Sequence, residues 1–279
     1  MKIRTLLERL GIVKPLPPRP VIRFASIIGN FSISKATIVK EAKDLTIRPN
    51  WMKAQLESGN KPIANCPGMW DYYQCGFVIP AHCDIHIKAN SEGINITLSG
   101  LRSMDEQDLA RMMPSKFDYT MVAGNAPIQE GVEKSVEKLP LPWGVFLEEG
   151  WSAYVIPAIM HSSFLDKIHV YPGLVDYDNI STCNLIFSVL KECDFTIYAG
   201  EPLLHVIPFR REEVIASCGR ATQEELDKHR YRFTSRKKGA YRTFLHQKKV
   251  FKIGCPFHSA SKSGQDQEQT DQGKLSKAF

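Results

Sequence analysis

The sequence predicts a mainly β protein, a barrel or sandwich with a few peripheral helices. Three observations carry that reading. Many short runs alternate apolar and polar residues, Gly, Pro and Asn turn signals separate them, and few stretches show helical periodicity. Composition agrees with a soluble globular chain. The 279 residues are 43% hydrophobic and 24% charged, which supplies a core and excludes a collagen-like, wholly disordered or membrane-spanning protein.

Taken in order, residues 1–20 are expected to form an amphipathic helix and a Pro-rich linker, because Ile3, Leu6, Leu7 and Leu10 fall at helical spacing. Glu8 and Arg9 break the run where a secretory signal would be continuously apolar. Residues 21–220 read as the β-rich core domain. Strands are expected at 21–27, 76–80, 83–89, 93–98, 143–148, 151–157, 167–171, 183–190, 194–198 and 203–209. In Asp84-Ile85-His86-Ile87-Lys88 the isoleucines take one face and the polar residues the other. Ile94, Ile96 and Leu98 repeat the pattern. Gly150-Trp151-Ser152 and Ala199-Gly200-Glu201-Pro202 read as β-turns.

Helical signals are sparse. A short helix is expected within 44–60, after Pro49-Asn50-Trp51. Ser103-Met104-Asp105-Glu106 fits a capping box, opening a helix that ends by Pro114. Thr222-Gln223-Glu224-Glu225 fits the same pattern at the start of a basic, aromatic appendage spanning 221–256. Residues 257–279 are polar and aperiodic, which predicts a disordered tail.

Charge is unevenly placed. The net +6 comes from 36 Lys and Arg against 30 Asp and Glu, yet residues 228–252 hold ten basic residues and no acidic ones. The remaining 254 residues therefore sum to −4. Cations in this segment alternate with Tyr231, Phe233, Tyr241, Phe244 and Phe251. Such a segment can be a solvated element anchored by its rings, a dock on an acidic neighbouring subunit, or a nucleic-acid patch with Arg236, Lys237, Lys238, Tyr241 and Arg242 as its centre. Docking on a subunit ranks ahead of nucleic acid. The seven cysteines are odd in number and form no CxxC pair, which predicts a reduced, cytoplasmic protein. No apolar run reaches bilayer length, so no membrane partner is expected.

Familiar catalytic signatures are missing. There is no P-loop, no G-x-G-x-x-G and no G-x-S-x-G elbow, and no cysteine stands in an activating context. His82, Cys83 and His86, with Cys66 and Cys75 upstream, are the nearest approach to zinc ligands. On a strand, His82, Asp84 and His86 would share a face and Cys83 would turn away, which spoils the tetrad. No metal site is therefore expected there. Asp176 and Asp178, in a turn after Pro172-Gly173, are the more informative pair. Two carboxylates two residues apart can hold a hard cation or activate a water, or can bond their own backbone in a turn.

Gly173-Leu174-Val175-Asp176-Tyr177-Asp178 is followed, 24 positions after Asp176, by Gly200-Glu201-Pro202-Leu203-Leu204-His205-Val206-Ile207. This order resembles the β-clip fold of the dUTPase and dCTP deaminase superfamily. The resemblance implies a β-clip core, a base role for Asp176 with Asp178 in support, turn roles for Gly173 and Gly200, and Mg²⁺ on a nucleotide triphosphate. The family's P-R-S-S phosphate motif would fall near Pro157-Ala158-Ile159-Met160-His161-Ser162-Ser163, where Ser162 and Ser163 remain but the Arg does not. His205 stands where the family has Gln, Ile186 stands where the deaminase branch has its catalytic Glu, and no closing arm follows.

A second resemblance, across Val21 to Phe251, is to proteins of tailed phages, cyanophages among them, and of some bacteria. Its matching features include Arg48-Pro49-Asn50-Trp51, Asn65-Cys66-Pro67-Gly68, Gly76-Phe77-Val78-Ile79-Pro80-Ala81, Gly150-Trp151-Ser152 and Val206-Ile207-Pro208-Phe209-Arg210-Arg211. No activity carries over from it. Together the two resemblances imply a phage-type β-clip protein without catalysis or cofactor, in a binding or assembly role, located in the host cytoplasm. By analogy with dUTPases it would be a homo-oligomer, with three copies. The alternatives are a Mg²⁺-dependent nucleotide pyrophosphatase using Asp176, and a virion structural or decoration protein.

Overall fold

The computed structural model describes residues 21–28, 37–44, 67–101, 104–117, 128–129, 133–159 and 161–227. The expected helices at 1–20 and within 44–60, the segment 228–252 with Arg236, Lys237, Lys238, Tyr241 and Arg242, and the polar tail lie outside these residues, as does Cys66.

The described chain holds thirteen strands, two α-helices of eight and seven residues, and a shorter α-helical stretch at 223–227. The strands are β1 (Arg23–Ser26), β2 (Lys40–Glu41), β3 (Phe77–Pro80), β4 (Asp84–Asn90), β5 (Gly93–Ser99), β6 (Ser115–Phe117) and β7 (Val136–Phe146). They continue with β8 (Trp151–Pro157), β9 (Ile168–Val170), β10 (Gly173–Val175), β11 (Thr182–Val189), β12 (Cys193–Ile197) and β13 (Pro202–Arg210). The helices are α1 (Pro67–Gln74) and α2 (Glu106–Met112). A 3-10 turn covers Ala42–Asp44, and a helical turn covers 223–227. The fold is thus mainly β, as the alternation predicts.

Three antiparallel sheets share the work, and among the described residues none closes into a barrel. One runs β1-β7-β11-β9 with β6 also on β7, one runs β10-β8-β13-β3-β2, and one runs β12-β4-β5. Their inner faces meet in a single core. Ile85 and Ile87 of β4, Leu139 and Val145 of β7, Leu185 and Phe187 of β11, and Leu204 and Val206 of β13 are all buried there. The alternating isoleucines of β4 point inward, as expected for a strand with one solvated face.

Some expectations change. The strand expected at 143–148 begins seven residues earlier, at Val136. Pro140 and Pro142 hide that half, because proline cannot donate to a ladder and reads as a breaker. It is tolerated here because β6 pairs only as far as Lys138 and β1 only from Trp143, so the two prolines lie in the interval between these neighbours. Gly173, expected in a turn, sits in edge strand β10 opposite Val155. Helix α2 is capped by Asp105, whose carboxylate accepts from Asp108 N at 2.8 Å, and Ser103 of the expected box lies outside the described residues. The second expected box forms: Glu225 N donates to Thr222 Oγ1 at 3.2 Å and Thr222 N to Glu225 Oε2 at 2.7 Å.

The β10-β8-β13-β3 sheet is apolar on both faces. Ala153, Val155, Val206 and Phe77 face the core. Tyr154, Ile156, Ile207 and Phe209 occupy the alternate positions and take the opposite face. Helix α1 covers one part of that outer face, placing Tyr72 against His205 with ring centroids 5.4 Å apart. Pro67 opens α1, where its missing N–H costs nothing. Among the described residues no helix is long and apolar enough to cross a membrane.

Candidate functional site

Asp176 and Asp178 stand at the end of the β8–β13 ribbon. Edge strand β10 runs beside β8 and delivers Asp176 next to Ser152. The chain then turns: Asn179 N and Ile180 N donate to Asp176 O at 2.9 and 3.0 Å. That turn aims both carboxylates at Arg211, the residue that follows β13. Arg211 N donates to Gly150 O at 2.8 Å, which fixes the guanidinium over the β-turn before β8.

The site is filled by its own charges. The Arg211 guanidinium grips Asp178 in a bidentate fork, with Nη1 at 3.0 Å from Oδ1 and Nη2 on Oδ2. Its Nη1 also lies 3.1 Å from Asp176 Oδ1 and 3.3 Å from Ser152 Oγ. Ser152 Oγ donates to Asp176 Oδ1 at 2.5 Å, and Gly150 N donates to Asp178 Oδ2 at 3.0 Å. The Asp178 side chain is only 6% exposed, against 56% for Asp176. The Ser152 hydroxyl, then Arg211, hold the Asp176 carboxyl below the usual carboxylate range. Arg211, then the Gly150 N–H, do the same for Asp178, and the two carboxylates raise Arg211 in return.

Chemically, this arrangement is poor at base catalysis. A general base needs a lone pair free for a water and a proton affinity near the working pH. Asp178 accepts from fixed donors at both oxygens and Asp176 at Oδ1, with lowered affinity for protons, which leaves Asp176 Oδ2 as the carboxylate oxygen outside these bonds. Magnesium fits no better, since a hard cation needs free carboxylate oxygens. The Arg211 guanidinium already stands between the two carboxylates where such a cation would bind. One carboxylate oxygen, Asp176 Oδ2, beside a guanidinium is a poor seat for Mg²⁺. Among the described residues, no group of three or more His, Cys, Asp and Glu side chains is placed to hold a metal.

The other expected ligand-binding residues collect at the far end of β8, roughly 20 Å from Asp176 by the rise of the strand. Ser162 Oγ lies 2.7 Å from Pro202 O and 3.0 Å from Ala158 O, so its hydroxyl hydrogen is committed to main-chain carbonyls. Ser163 Oγ donates to Glu201 Oε2 at 3.1 Å. Gly200 takes φ +93° in the turn before β13, its N–H on Ala81 O at 2.8 Å. The chain therefore brings Ser162, Ser163 and Gly200 together, brings Asp176 and Asp178 together, and holds the groups apart, with Gly173 between them opposite Val155.

The same far end gathers buried histidines. His205 Nε2 donates to Cys75 O at 2.5 Å, and the His161 ring packs on Tyr73 at 4.5 Å. Burial pushes His161 down to about 4, helped by His205, and pushes His82 down to about 4 as well. His82 precedes β4 and is buried, so it does not share an outer strand face with Asp84 and His86. Asp84 accepts from Ala199 N at 2.8 Å, and His86 pairs with Asp194 at 2.7 Å. The zinc-like spacing thus dissolves into separate structural contacts.

Sequence reading picked out the two aspartates but gave Arg211, Ser152 and Gly150 no part in their chemistry. Their partnership is tertiary: Arg211 lies 33 residues from Asp178 and Ser152 lies 24 from Asp176. The doubled Arg210-Arg211 directly after a strand was the one visible signal.

No protein-family model matches the chain, and no curated protein matches it. Among solved structures, one similar chain is the 2′-deoxycytidine 5′-triphosphate deaminase of Agrobacterium tumefaciens, at 10% identity and a TM-score of 0.24. The match covers 45% of this chain and 40% of the deaminase, so it spans less than half of either protein.

Proposed function

We propose that this chain is a dUTPase-like β-clip protein of the tailed-phage type that serves binding or assembly and does not hydrolyse nucleotides. The β-clip assignment rests on the Gly173-to-Asp178 and Gly200-to-Ile207 motifs. Both fall on strand and turn elements of a mainly β fold. One observation supports the loss of chemistry: Arg211 and Ser152 occupy three of the four carboxylate oxygens that a catalytic reading would leave for water and metal. Electrostatic catalysis needs donors aimed at developing charge on a substrate, and here the cation is spent on the protein's own carboxylates.

The competing reading, a Mg²⁺-dependent pyrophosphatase with Asp176 as base, draws on the exposure of Asp176. The two separate in one assay. Purified protein is given each dNTP with Mg²⁺, and pyrophosphate is followed. The expected result is no turnover above the buffer rate, for the native chain and for Asp176→Asn alike. Turnover that Asp176→Asn abolishes would sink the non-catalytic reading.

A further inference from the structure

The outer face of the β10-β8-β13 sheet is left open beyond α1. Tyr154 and Phe209 pack their rings 4.7 Å apart there. Leu174 lies directly opposite Tyr154 on one side and Ile207 on the other. Tyr154 is 45% exposed and Leu174 64%. An open groove of about 570 Å³ starts at Tyr154 and Phe209 and continues along Arg210, Arg211, Glu212, Glu213 and Val214. Past Arg211 the chain leaves strand geometry, and residues 212–227 are exposed throughout. Val214 and Ile215, at 85% and 87% exposure, are the barest large apolar residues described. An uncovered apolar sheet face and an uncovered apolar dipeptide thus adjoin in one stretch of chain. Contiguous apolar surface of this kind marks a contact site.

The charges say which partner fits. The order Arg210-Arg211-Glu212-Glu213 is self-complementary when two copies run antiparallel. A two-fold axis at the Arg211–Glu212 peptide sets Arg210 against the partner's Glu213 and Phe209 against the partner's Val214. The chain is irregular from Arg211, so this is side-chain facing across the axis rather than a regular ladder. Arg210 is available for it. Among the described residues its ion pair is with Glu212 at 3.5 Å, and both side chains are largely exposed. Arg211 stays on Asp178. Because the groove and the residues that fill it adjoin in sequence, each copy satisfies the other, and the contact is isologous.

We infer that Val214 and Ile215 of one copy occupy the Tyr154–Phe209 groove of a second copy, reciprocally, so that this face is a two-fold self-association surface. The inference rests on the assembly reading above and names its partner as the chain itself. An isologous contact closes at two copies, against the three implied by the dUTPase resemblance.

Sedimentation equilibrium on the full chain tests it. The native protein is expected as a dimer. Val214→Asp with Ile215→Asp should raise the dimer dissociation constant at least about tenfold, a loss of roughly 1.4 kcal/mol of association. Arg210→Glu should weaken it in the same direction, and adding Glu213→Arg to that chain should restore it. All four positions are exposed, so circular dichroism should show the fold unchanged, and the thermal midpoint should fall only by what the lost association accounts for. A native trimer that both substitutions leave intact would overturn this surface while keeping self-association. A native chain that remains single at every concentration would overturn both. Nucleotide turnover would overturn the non-catalytic reading and leave this one standing.

Discussion

Strands β8 and β13 lie side by side over seven residue pairs, and the two ends of that ribbon are held in opposite ways. At the Trp151–Arg210 end the closure is ionic and partly open to water: Arg211 ties down the exposed Asp176 and the covered Asp178. At the Pro157–Leu204 end it is neutral and covered: His205 donates to Cys75 O beneath Tyr72, and His161 lies against Tyr73. The difference teaches how burial selects chemistry. Charges are kept where water shares their solvation, and where the sheet is roofed by α1 the polar groups are uncharged.

Glycine provides the sharpest way to compare the part roofed by α1 with the open end, since Gly76 beside α1 and Gly150 beside Arg211 are both in the left-handed region. Gly76, between α1 and β3, has φ +69°, and a Cβ there would lie 2.4 Å from Val206 O. Gly150, before β8, has φ +81° with nothing within 4 Å of such a Cβ. Gly76→Ala should therefore combine backbone strain with a clash against a main-chain oxygen, and cost about 2–5 kcal/mol. Gly150→Ala should cost the strain alone, about 1–2 kcal/mol. Urea denaturation of both variants checks the order. Equal losses would mean that the covered end is no more tightly packed than the open one.

That packing was only partly legible in the sequence. Alternation placed all ten expected strands, and for 151–157 the bounds agree with β8 residue for residue. What failed was local chemistry read without its neighbours. Pro140 and Pro142 look like breakers until β7 is seen to pair on that edge with β6 only as far as Lys138 and with β1 only from Trp143, the Pro142 carbonyl accepting from Ile27 N. Gly173 after Pro172 looks like a turn until β8 offers it a ladder. At the candidate site, a D-x-D turn is a local pattern and could be found. The guanidinium that neutralises it arrives from the end of β13, and no spacing rule announces a partner 33 residues away.

Acid should separate the two ends next. Histidine titrates near 6.5 when unfolded, and burial pushes His82 and His161 down to about 4 in the fold. Between those values the unfolded chain binds protons that the native chain refuses. Stability should therefore fall as pH drops from about 6.5 to about 4, then level off. His82, well buried, can account for up to about 3 kcal/mol of this loss, at about 1.4 kcal/mol per pH unit. His161, half-buried, adds less. Asp176 and Asp178 behave differently: their pKa values are lowered, so their contribution holds above the ordinary carboxylate value of 3.8 and is lost only as pH falls below it. Urea midpoints across this range should show the histidine limb first. His161→Phe keeps a ring against Tyr73 while removing one titrating group, and should make that limb shallower. A flat profile from 6.5 to 4 would remove the neutral-end half of the comparison.

The smallest effect is expected at the open end. Arg211→Ala removes the fork from Asp178, which keeps the Gly150 N–H and the Asn179 amide, at 3.0 and 3.2 Å. Both carboxyls should then titrate closer to the ordinary range, visible by carboxyl-carbon NMR, and the thermal midpoint should fall by less than in either case above. Salt tells why. Near 1 M NaCl the screening length is about 3 Å, so an ion pair shared with water loses most of its advantage, and native and variant midpoints should converge. The His205 end, with no net charge to screen, should not respond. If the gap instead persists at high salt, Arg211 acts through the packing of its stem and the geometry of its fork. Arg211→Lys resolves that case. It restores the charge without the planar pair of donors, so a rescue by Lys assigns the effect to charge, and failure to rescue assigns it to the fork.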